Sequence, residues 1–343
     1  MAKYLKMHRS ENTNNSYNTG ARRYLRFFAG NEKGRAFPAS DGKLGRFAST
    51  LADEGLKYKT IRGYLYGVRA AQLDRGFDFQ KLKKRNLLWS TLKGIRRAIG
   101  DRSKPKQAIS LKMLRKFKLE VGRLREQSPE TAIYWGAVWA AILVGFFGMI
   151  RKDNLTTGKV EAANQQKGLR RDDVLIKKST SRRPAVLWVR LRYSKTNQFK
   201  EQPSLIPLSE TNNKLCPLRA VVSHLKETPG GPKDSLFRVP GKKRGTFSPL
   251  THQALVKGIK DLVRAAGMDP ARFAGHSLRR GGATLAFQLK APVYQIQMQG
   301  IWSSMAVLGY NEVSATDRLE LPTRMAAAAR RGHTHRKIGV RSG

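Results

Sequence analysis

Residues 132–150 form a run of 19 residues without a charged side chain, in a chain that is otherwise rich in lysine and arginine. By length alone the run could span a bilayer. It contains three glycines, however, and basic residues occur on both sides of it, so no charge asymmetry would orient it in a membrane. We therefore predict a helix buried in a protein core and no membrane partner. Arg151 directly follows this run. A guanidinium at the edge of an apolar core has a high free-energy cost unless an anion pairs with it.

The chain carries far more positive charge than solubility requires. It has 343 residues, of which 67 are Lys or Arg and 24 are Asp or Glu, so its formal net charge is +43. Such a chain repels itself unless a polyanion neutralises it, and nucleic acid is the commonest polyanion. The basic residues are interleaved with Leu, Phe, Trp and Tyr, which is typical of folded domains and unlike the basic tails of ribosomal proteins. Composition therefore predicts a nucleic-acid partner.

Length and cysteine content bound the architecture. At about 150 residues per domain, the chain is long enough for two domains. Since residues 100–106 are polar, basic and interrupted by proline, we predict a helical N-terminal DNA-binding domain over 1–102, a second domain over 103–329 and a basic tail over 330–343. The single cysteine, Cys216, excludes a disulfide framework and a cysteine-based zinc finger, and it fits an intracellular, reducing compartment.

The N-terminal domain shows helical periodicity with basic faces. Ile61, Leu65 and Val68 recur at i, i+4 and i+7, which predicts one apolar face on a helix. The opposite face of this helix and the next predicted helix carry the candidate DNA-binding residues Lys59, Arg62, Arg69, Lys93, Arg96 and Arg97. Aromatic side chains lie among these cations, as in surfaces that bind nucleic acid.

In the second domain the apolar period changes to two. Residues 187–193 alternate between apolar and polar side chains, which predicts a half-buried strand. Residues 174–176 and 205–208 can pair with it as a small antiparallel sheet, and Pro249 is expected to begin a helix. The predicted fold class is α + β, mostly α: an all-helical N-terminal domain and a mixed helical domain with a small antiparallel β-sheet.

The segment 276–284 holds the most informative motif. On a helix, His276 and Arg279 are neighbours at i and i+3. An imidazole and a guanidinium side by side repel unless they share an anion, and a phosphate group fits. Gly281 and Gly282 weaken the helix but allow it to pack closely against another element. The motif therefore predicts a phosphate site.

Together the candidate residues resemble the ordered signature of the tyrosine recombinase (phage integrase) family. The matching residues, in order, are Arg151 after a buried helix, Lys195 in a predicted β-hairpin, His276, Arg279, Trp302 and Tyr310. Residues 60–65 are also similar to the family's core-binding domain. Residues 215–220 and 302–310 are similar to recombinases of the crypton and DIRS-like mobile elements. The resemblance covers nearly the whole chain and implies a helical core-binding domain followed by a catalytic domain.

The resemblance implies a site-specific recombinase that cuts and rejoins DNA through a 3′-phosphotyrosyl intermediate, to integrate or excise a mobile element. Tyr310 is then the nucleophile, and Arg151 and Arg279 bind the non-bridging phosphoryl oxygens. His276 hydrogen-bonds the same phosphate and can accept the tyrosine proton.

The same resemblance implies that the Trp302 indole N–H donates a hydrogen bond to the phosphate. It also implies that Lys195 protonates the departing 5′ oxygen. The covalent intermediate conserves bond energy, so no ATP is needed. The two arginines take the place of metal ions, so we expect neither a metal nor another cofactor.

The resemblance also implies partners. Four protomers would act on two DNA duplexes, with two domains clamping double-stranded DNA, and accessory DNA-bending proteins would be further partners. The apolar residues between Leu319 and Ala329 are expected to form a helix that docks on a neighbouring protomer. The location would be intracellular and at DNA: the nucleus for a eukaryotic mobile element, otherwise the bacterial cytoplasm.

Several alternatives stay open at this point. Arg280 rivals Arg279, Lys200 rivals Lys195, and Tyr294 is a second tyrosine that we expect to pack in the core. A type IB topoisomerase would use similar chemistry without pairing two sites.

One position departs from the family's pattern. Members commonly have Glu or Asp three residues after the first arginine, where this chain has Asn154. Asp153 is adjacent but is expected to face elsewhere on a helix, and His252 is expected to cap or pack. Since asparagine supplies no carboxylate, reduced activity or a catalytically weak DNA-binding derivative is a further alternative.

Overall fold

The computed structural model describes residues 8–29, 36–101, 105–158, 168–181, 184–193, 203–311, 319 and 322–327. The chain divides into two compact units, Met1–Lys104 and Pro105–Gly343. Each unit has an apolar core of its own.

Helices make up the regular structure of the described part of the first unit. They are α1 (Glu11–Ala29), α2 (Asp41–Asp53), α3 (Tyr58–Leu73) and α4 (Asn86–Ile99), with a single 3-10 turn at Leu82–Lys84. The predicted apolar face of α3 is confirmed, because Ile61, Leu65 and Val68 have no exposed surface. Helices α1 and α3 touch at their backbones: a Cβ atom at Gly20 would lie 2.6 Å from the Cα of Tyr64.

The second unit is built around one apolar helix. Its helices are α5 (Leu111–Arg125), α6 (Pro129–Phe147), the short α7 (Lys152–Leu155), α8 (Pro217–Glu227), α9 (His252–Ala265), α10 (His276–Gln288) and α11 (Val293–Gly300). Helix α6 begins with Pro129 at its first position and with a capping box between Ser128 and Thr131.

Helix α6 is the predicted core helix. Among the described residues it alone is long and apolar enough to cross a membrane. Its residues from Ala140 to Val144 have no exposed surface, because α5, α8, α9 and α10 pack around it. The prediction of a buried helix is thus confirmed. Arg151 follows directly after the last buried residue of this segment, Ile150.

A small antiparallel sheet lies beside these helices. Its strands β1 (Val174–Lys177), β2 (Val186–Leu191) and β3 (Ser204–Ser209) run in the order β1-β2-β3. Leu187 lies opposite Ile176 on one side and opposite Leu208 on the other. The predicted sheet and the mostly helical fold class are confirmed.

A second pair of strands, β4 (Arg238–Pro240) and β5 (Phe247–Pro249), was not expected. Pro249 ends β5, so the prediction that it begins a helix is wrong. Helix α9 begins at His252 instead, where the Thr251 hydroxyl accepts a hydrogen bond from the Ala254 N–H at 3.2 Å. This N-cap, two residues after the proline, fixes the start of the helix.

Candidate active site

Arg279 is the centre of the site. It lies on α10, it is 2% exposed, and its Nη1 donates to the carbonyl oxygens of Met149 at 2.5 Å and Gly300 at 2.7 Å. Its Nη2 is buried without a hydrogen-bond partner. No described carboxylate forms an ion pair with Arg279. The guanidinium is therefore fixed by neutral groups and keeps its charge and one nitrogen available for an anion.

The Trp302 ring lies over the Arg279 guanidinium, and the Tyr310 ring lies beside Trp302. The ring centroid of Trp302 is 3.6 Å from the Arg279 Cζ, and the rings of Trp302 and Tyr310 are 5.4 Å apart. Tyr310 ends the 3-10 segment Met305–Tyr310, and its carbonyl oxygen accepts a hydrogen bond from the Thr284 hydroxyl on α10 at 3.0 Å. This bond ties Tyr310 to the helix that carries Arg279.

The charges of Arg151 and Tyr310 affect the pKa of Arg279. Burial lowers the pKa of Arg279, the nearby positive charge of Arg151 lowers it further, and Tyr310 raises it because a phenolate favours the cation. Arg151 is half-buried at the N-cap of α7, directly after the core helix, so it is close enough to repel Arg279. Two guanidinium groups that repel each other can share one phosphate.

His276 occupies the first position of α10 and is an exposed residue. Partial burial lowers the pKa of His276, Arg279 lowers it further, and Asp153 acts in the opposite direction. A lowered pKa keeps the imidazole neutral near pH 7, which leaves it able to accept a proton.

The structure thus brings five of the six predicted catalytic residues together: Arg151, His276, Arg279, Trp302 and Tyr310. The sixth, Lys195, lies outside the described residues, in the segment that joins β2 to β3, and its rival Lys200 lies in the same segment.

The two remaining rivals have different positions. Arg280 is partly exposed, with its Cζ 5.6 Å from the ring centroid of Tyr310, so it is not the buried arginine. Tyr294 is 60% exposed on α11, so the expectation that it packs in the core is wrong. Because α11 has few buried positions, Ile296 and Gly300, most of its side chains reach solvent.

A polar cluster that acts on His276 was not predicted from the sequence. Asp153 was expected to face elsewhere, but its Oδ1 lies 3.2 Å from the Nε2 of His252 and 2.5 Å from the Nζ of Lys152. His252 was expected to cap or pack, yet both ring nitrogens have polar partners, the second being the Thr156 hydroxyl at 2.8 Å from Nδ1. No local signal links residues 153 and 252, because only the tertiary fold places α7 against the start of α9.

The predicted DNA-binding residues lie on α3 and α4 of the first unit. Arg62 and Arg96, one from each helix, both lie over the ring of Tyr58, at 5.9 and 5.7 Å from its centroid. Lys59, Lys93 and Arg97 are exposed, and Arg69 is partly exposed. The two helices therefore present neighbouring cations around an aromatic ring, an arrangement suited to a nucleic-acid backbone.

Comparison with known proteins gives a match in structure but not in sequence. No family model and no curated protein matches the chain. The XerH site-specific recombinase bound to a palindromic difH substrate, a post-cleavage complex, matches with a TM-score of 0.59 and 18% identity, over 92% of this chain and 79% of that one. The Tn1549 transposon integrase in complex with transposon right end DNA matches with a TM-score of 0.55 and 15% identity, over 95% and 98%.

A lambda integrase dimer bound to a COC′ core site also matches, with a TM-score of 0.53 and 14% identity over 99% of this chain and 79% of that one. The chain has the tyrosine recombinase fold. The resemblance predicted from the ordered residues is therefore confirmed in its fold. The closer similarity to crypton and DIRS-like recombinases stays a prediction.

Proposed function

We propose that the protein is a site-specific DNA recombinase that cuts and rejoins DNA through a 3′-phosphotyrosyl intermediate. The observation that carries the proposal is the buried Arg279, whose Nη2 has no partner and whose charge meets no described carboxylate, beside Tyr310. A DNA phosphate would supply both the missing acceptor and the missing negative charge. The recombinases of the same fold were solved with DNA, which supports double-stranded DNA as the partner.

The chemistry follows from these positions. The Tyr310 hydroxyl attacks phosphorus, the bond from phosphorus to the 5′ oxygen breaks, and the DNA 3′ end becomes joined to the tyrosine. Arg151 and Arg279 stabilise the charge that develops on the non-bridging oxygens. The tyrosine proton passes to neutral His276, and the departing 5′ oxygen takes a proton from Lys195. Attack by a 5′ hydroxyl on the phosphotyrosine reverses these steps and releases Tyr310.

The Trp302 indole N–H is proposed as a further donor to the same phosphate. The ring also covers the Arg279 guanidinium at 3.6 Å, which excludes water from one of its faces. Excluding water strengthens the attraction between the guanidinium and a phosphate, because the local dielectric constant falls.

The basic surface around Tyr58 is proposed as the part of the first unit that contacts DNA. Its cations Lys59, Arg62, Arg69, Lys93, Arg96 and Arg97 would bind phosphates. Such contacts position a protein on DNA without reading its sequence.

Recombination by strand exchange calls for four protomers on two duplexes, and we propose this assembly for the integration or excision of a mobile element. Leu319 and Met325 are 63% and 64% exposed in the chain by itself. They belong to the segment predicted to dock on a neighbouring protomer, of which residues 319 and 322–327 are described and are helical.

A nicked suicide substrate tests the proposal, because the short fragment with the 5′ hydroxyl diffuses away and traps the covalent adduct. We expect an adduct that requires Tyr310, so Tyr310→Phe abolishes it while DNA binding persists. Arg279→Lys should reduce adduct formation by about 100-fold, since the lysine cannot reproduce the planar fork. Arg280→Lys is the matched control and should change it far less.

The outcomes also separate the rival functions. Adduct formation by Tyr310→Phe would overturn the assignment of the nucleophile, and the absence of an adduct with a cognate site would favour the DNA-binding derivative. Rapid relaxation of plasmids that lack any target site would favour a type IB topoisomerase.

A further inference from the structure

Lys152 and His252 hold the carboxylate of Asp153, and this carboxylate is close enough to His276 for their charges to interact. Its Oδ1 is 2.5 Å from the Lys152 Nζ and 3.2 Å from the His252 Nε2. The contact with His252 becomes an ion pair when the His252 ring is protonated. The other ring nitrogen, Nδ1, is hydrogen-bonded to the Thr156 hydroxyl at 2.8 Å. The imidazole is thus fixed at both ends and in turn fixes the carboxylate.

The backbone of three elements holds this cluster against α10. The His252 N–H donates to the Thr157 carbonyl at 2.8 Å, which ties the start of α9 to the segment after α7. The Lys152 side chain lies on Gly275, the residue before His276, where a Cβ atom would come within 2.6 Å of the Lys152 Cδ. Lys152, the residue before Asp153, therefore contacts the start of α10.

The charges that face His276 are nearly all positive. Arg151 and Lys152 act from α7, Arg279 acts from α10 itself, and each of them lowers the pKa of His276. Asp153 is the described carboxylate that acts in the opposite direction, with His252 behind it. Burial would raise the pKa of Asp153, but Lys152, His252 and His276 bring it below its usual range, so the carboxylate is charged near pH 7.

Building on the proposed function, we propose that Asp153, anchored by His252, is the positioning residue for His276. When the Tyr310 proton reaches His276, an imidazolium forms among three cations. The Asp153 carboxylate stabilises that imidazolium, as an acidic residue at position 154 would have done. Asn154 is 8% exposed and supplies no charge. The chain thus obtains the needed carboxylate one residue earlier, and α9 supplies its anchor.

A titration of the free, full-length protein tests this without relying on catalysis. The C2–H resonances of the six histidines are followed by NMR against pH, and the His276→Gln variant assigns the His276 signal. Asp153→Asn should lower the pKa of His276, because it removes the negative charge and leaves Lys152 unneutralised. Asp153→Glu keeps the charge and should restore the titration towards that of the wild type.

Asp261→Asn is the matched control, since this carboxylate on α9 pairs with Lys257 at 2.8 Å and Arg264 at 2.9 Å. It removes an equal charge from a carboxylate that does not act on the pKa of His276, so it should leave the titration of His276 unchanged. An unaltered His276 titration in Asp153→Asn, or an equal change in Asp261→Asn, would overturn the proposal.

Single-turnover cleavage of the suicide substrate gives the second measurement. A proton-transfer group contributes about 100-fold or more, so the loss of its positioning residue should slow cleavage about 10-fold, with DNA affinity little changed. The acid limb of the pH–rate profile should move to lower pH in Asp153→Asn, because the neutral imidazole then persists to lower pH. A merely structural effect would lower the rate without moving this limb, and that result would count against the proposal.

His252→Phe removes the ring nitrogen that contacts Asp153 and should reproduce part of both effects. Wild-type cleavage and titration in this variant would overturn the anchoring role of His252. If the wild type forms no adduct at all, the proposed function fails, while the NMR titration still decides whether Asp153 acts on His276.

Discussion

The positive charge of Arg279 is not neutralised by a described carboxylate, because its hydrogen-bond partners are backbone carbonyl oxygens. The carbonyls of Met149 and Gly300 satisfy Nη1 and orient the guanidinium, but they leave its charge uncompensated. A site prepared in this way needs little rearrangement when a phosphate arrives, and such preorganised charge is usually the largest single contribution to catalysis. The two carbonyl groups therefore contribute to the site by orienting the arginine.

Another buried residue, His224, makes the stability of the fold depend on pH. It is 1% exposed, its Nε2 accepts from the Arg238 N–H at 3.1 Å, and its Nδ1 is buried without a partner. Burial lowers the pKa of His224 from 6.5 to about 4. The folded state thus resists the proton that the unfolded state takes up below pH 6.5, so stability should fall as the pH drops from 6.5 towards 4.

We expect this histidine to remove about 2 kcal/mol of unfolding free energy between pH 7.5 and pH 5. Urea unfolding at the two pH values measures the change, and His224→Gln should lose this part of it. An equal pH dependence in the wild type and the variant would contradict the assignment.

At the residue scale, the sequence predicted the side chains that carry a recognisable order but not those that only the fold brings in. The family pattern selected Arg279 over Arg280, and the structure buries Arg279. Asp153 and His252 could not be predicted, because their meeting depends on how α7 and the start of α9 are tied together through Thr157.

Among the elements, the contact between α10 and α6 positions the site most directly. A Cβ atom at Gly282 would lie 2.1 Å from the Phe146 carbonyl oxygen, and one at Gly281 would lie 2.1 Å from the Ile109 carbonyl oxygen. The predicted close packing of this helix is confirmed. It places Arg279 within reach of the Met149 carbonyl, just beyond the end of α6.

Gly282→Ala should destabilise the second unit by about 3 kcal/mol, because the methyl group has no space against the backbone of α6. Gly122→Ala on α5 is the matched control. A Cβ atom there meets nothing within 4 Å. This control should be neutral or stabilising by up to about 1 kcal/mol, since alanine favours the helix. Urea unfolding of both variants measures the difference, and similar stabilities would refute the packing argument.

Periodicity predicted most elements, because apolar spacing is a local property of the chain. The helix α3 and the strand β2 appear where their apolar residues recur at helical and strand spacing. Pro249 misled the prediction, because proline is tolerated both at the first turn of a helix and in an edge strand. The pairing with β4 decided between them, and that pairing is not visible in the local sequence.

Across the whole molecule, charge is the dominant property. The excess of 67 basic over 24 acidic side chains extends through both units, so DNA binding should release many counterions. Affinity and its salt dependence are therefore linked, and both should respond to the loss of single exposed cations.

DNA affinity should fall at least about 1,000-fold between 50 and 200 mM salt, as expected for six or more phosphate contacts. Lys59→Gln and Lys93→Gln should each reduce the slope of log affinity against log salt by about 1. Lys226→Gln, an exposed lysine on α8 outside the predicted DNA-binding set, is the control and should leave the slope unchanged. Binding measured by fluorescence anisotropy would contradict the prediction if affinity barely changed with salt.

Gly300 has a role that its lack of a side chain conceals. A Cβ atom there would lie 1.7 Å from the Trp302 Cζ3, so the indole occupies the volume that any other amino acid would need. Even the methyl group of an alanine would displace the Trp302 indole from its position over the Arg279 guanidinium. A conservative substitution at position 300 should therefore disturb the proposed active site as much as a substitution of Trp302 itself.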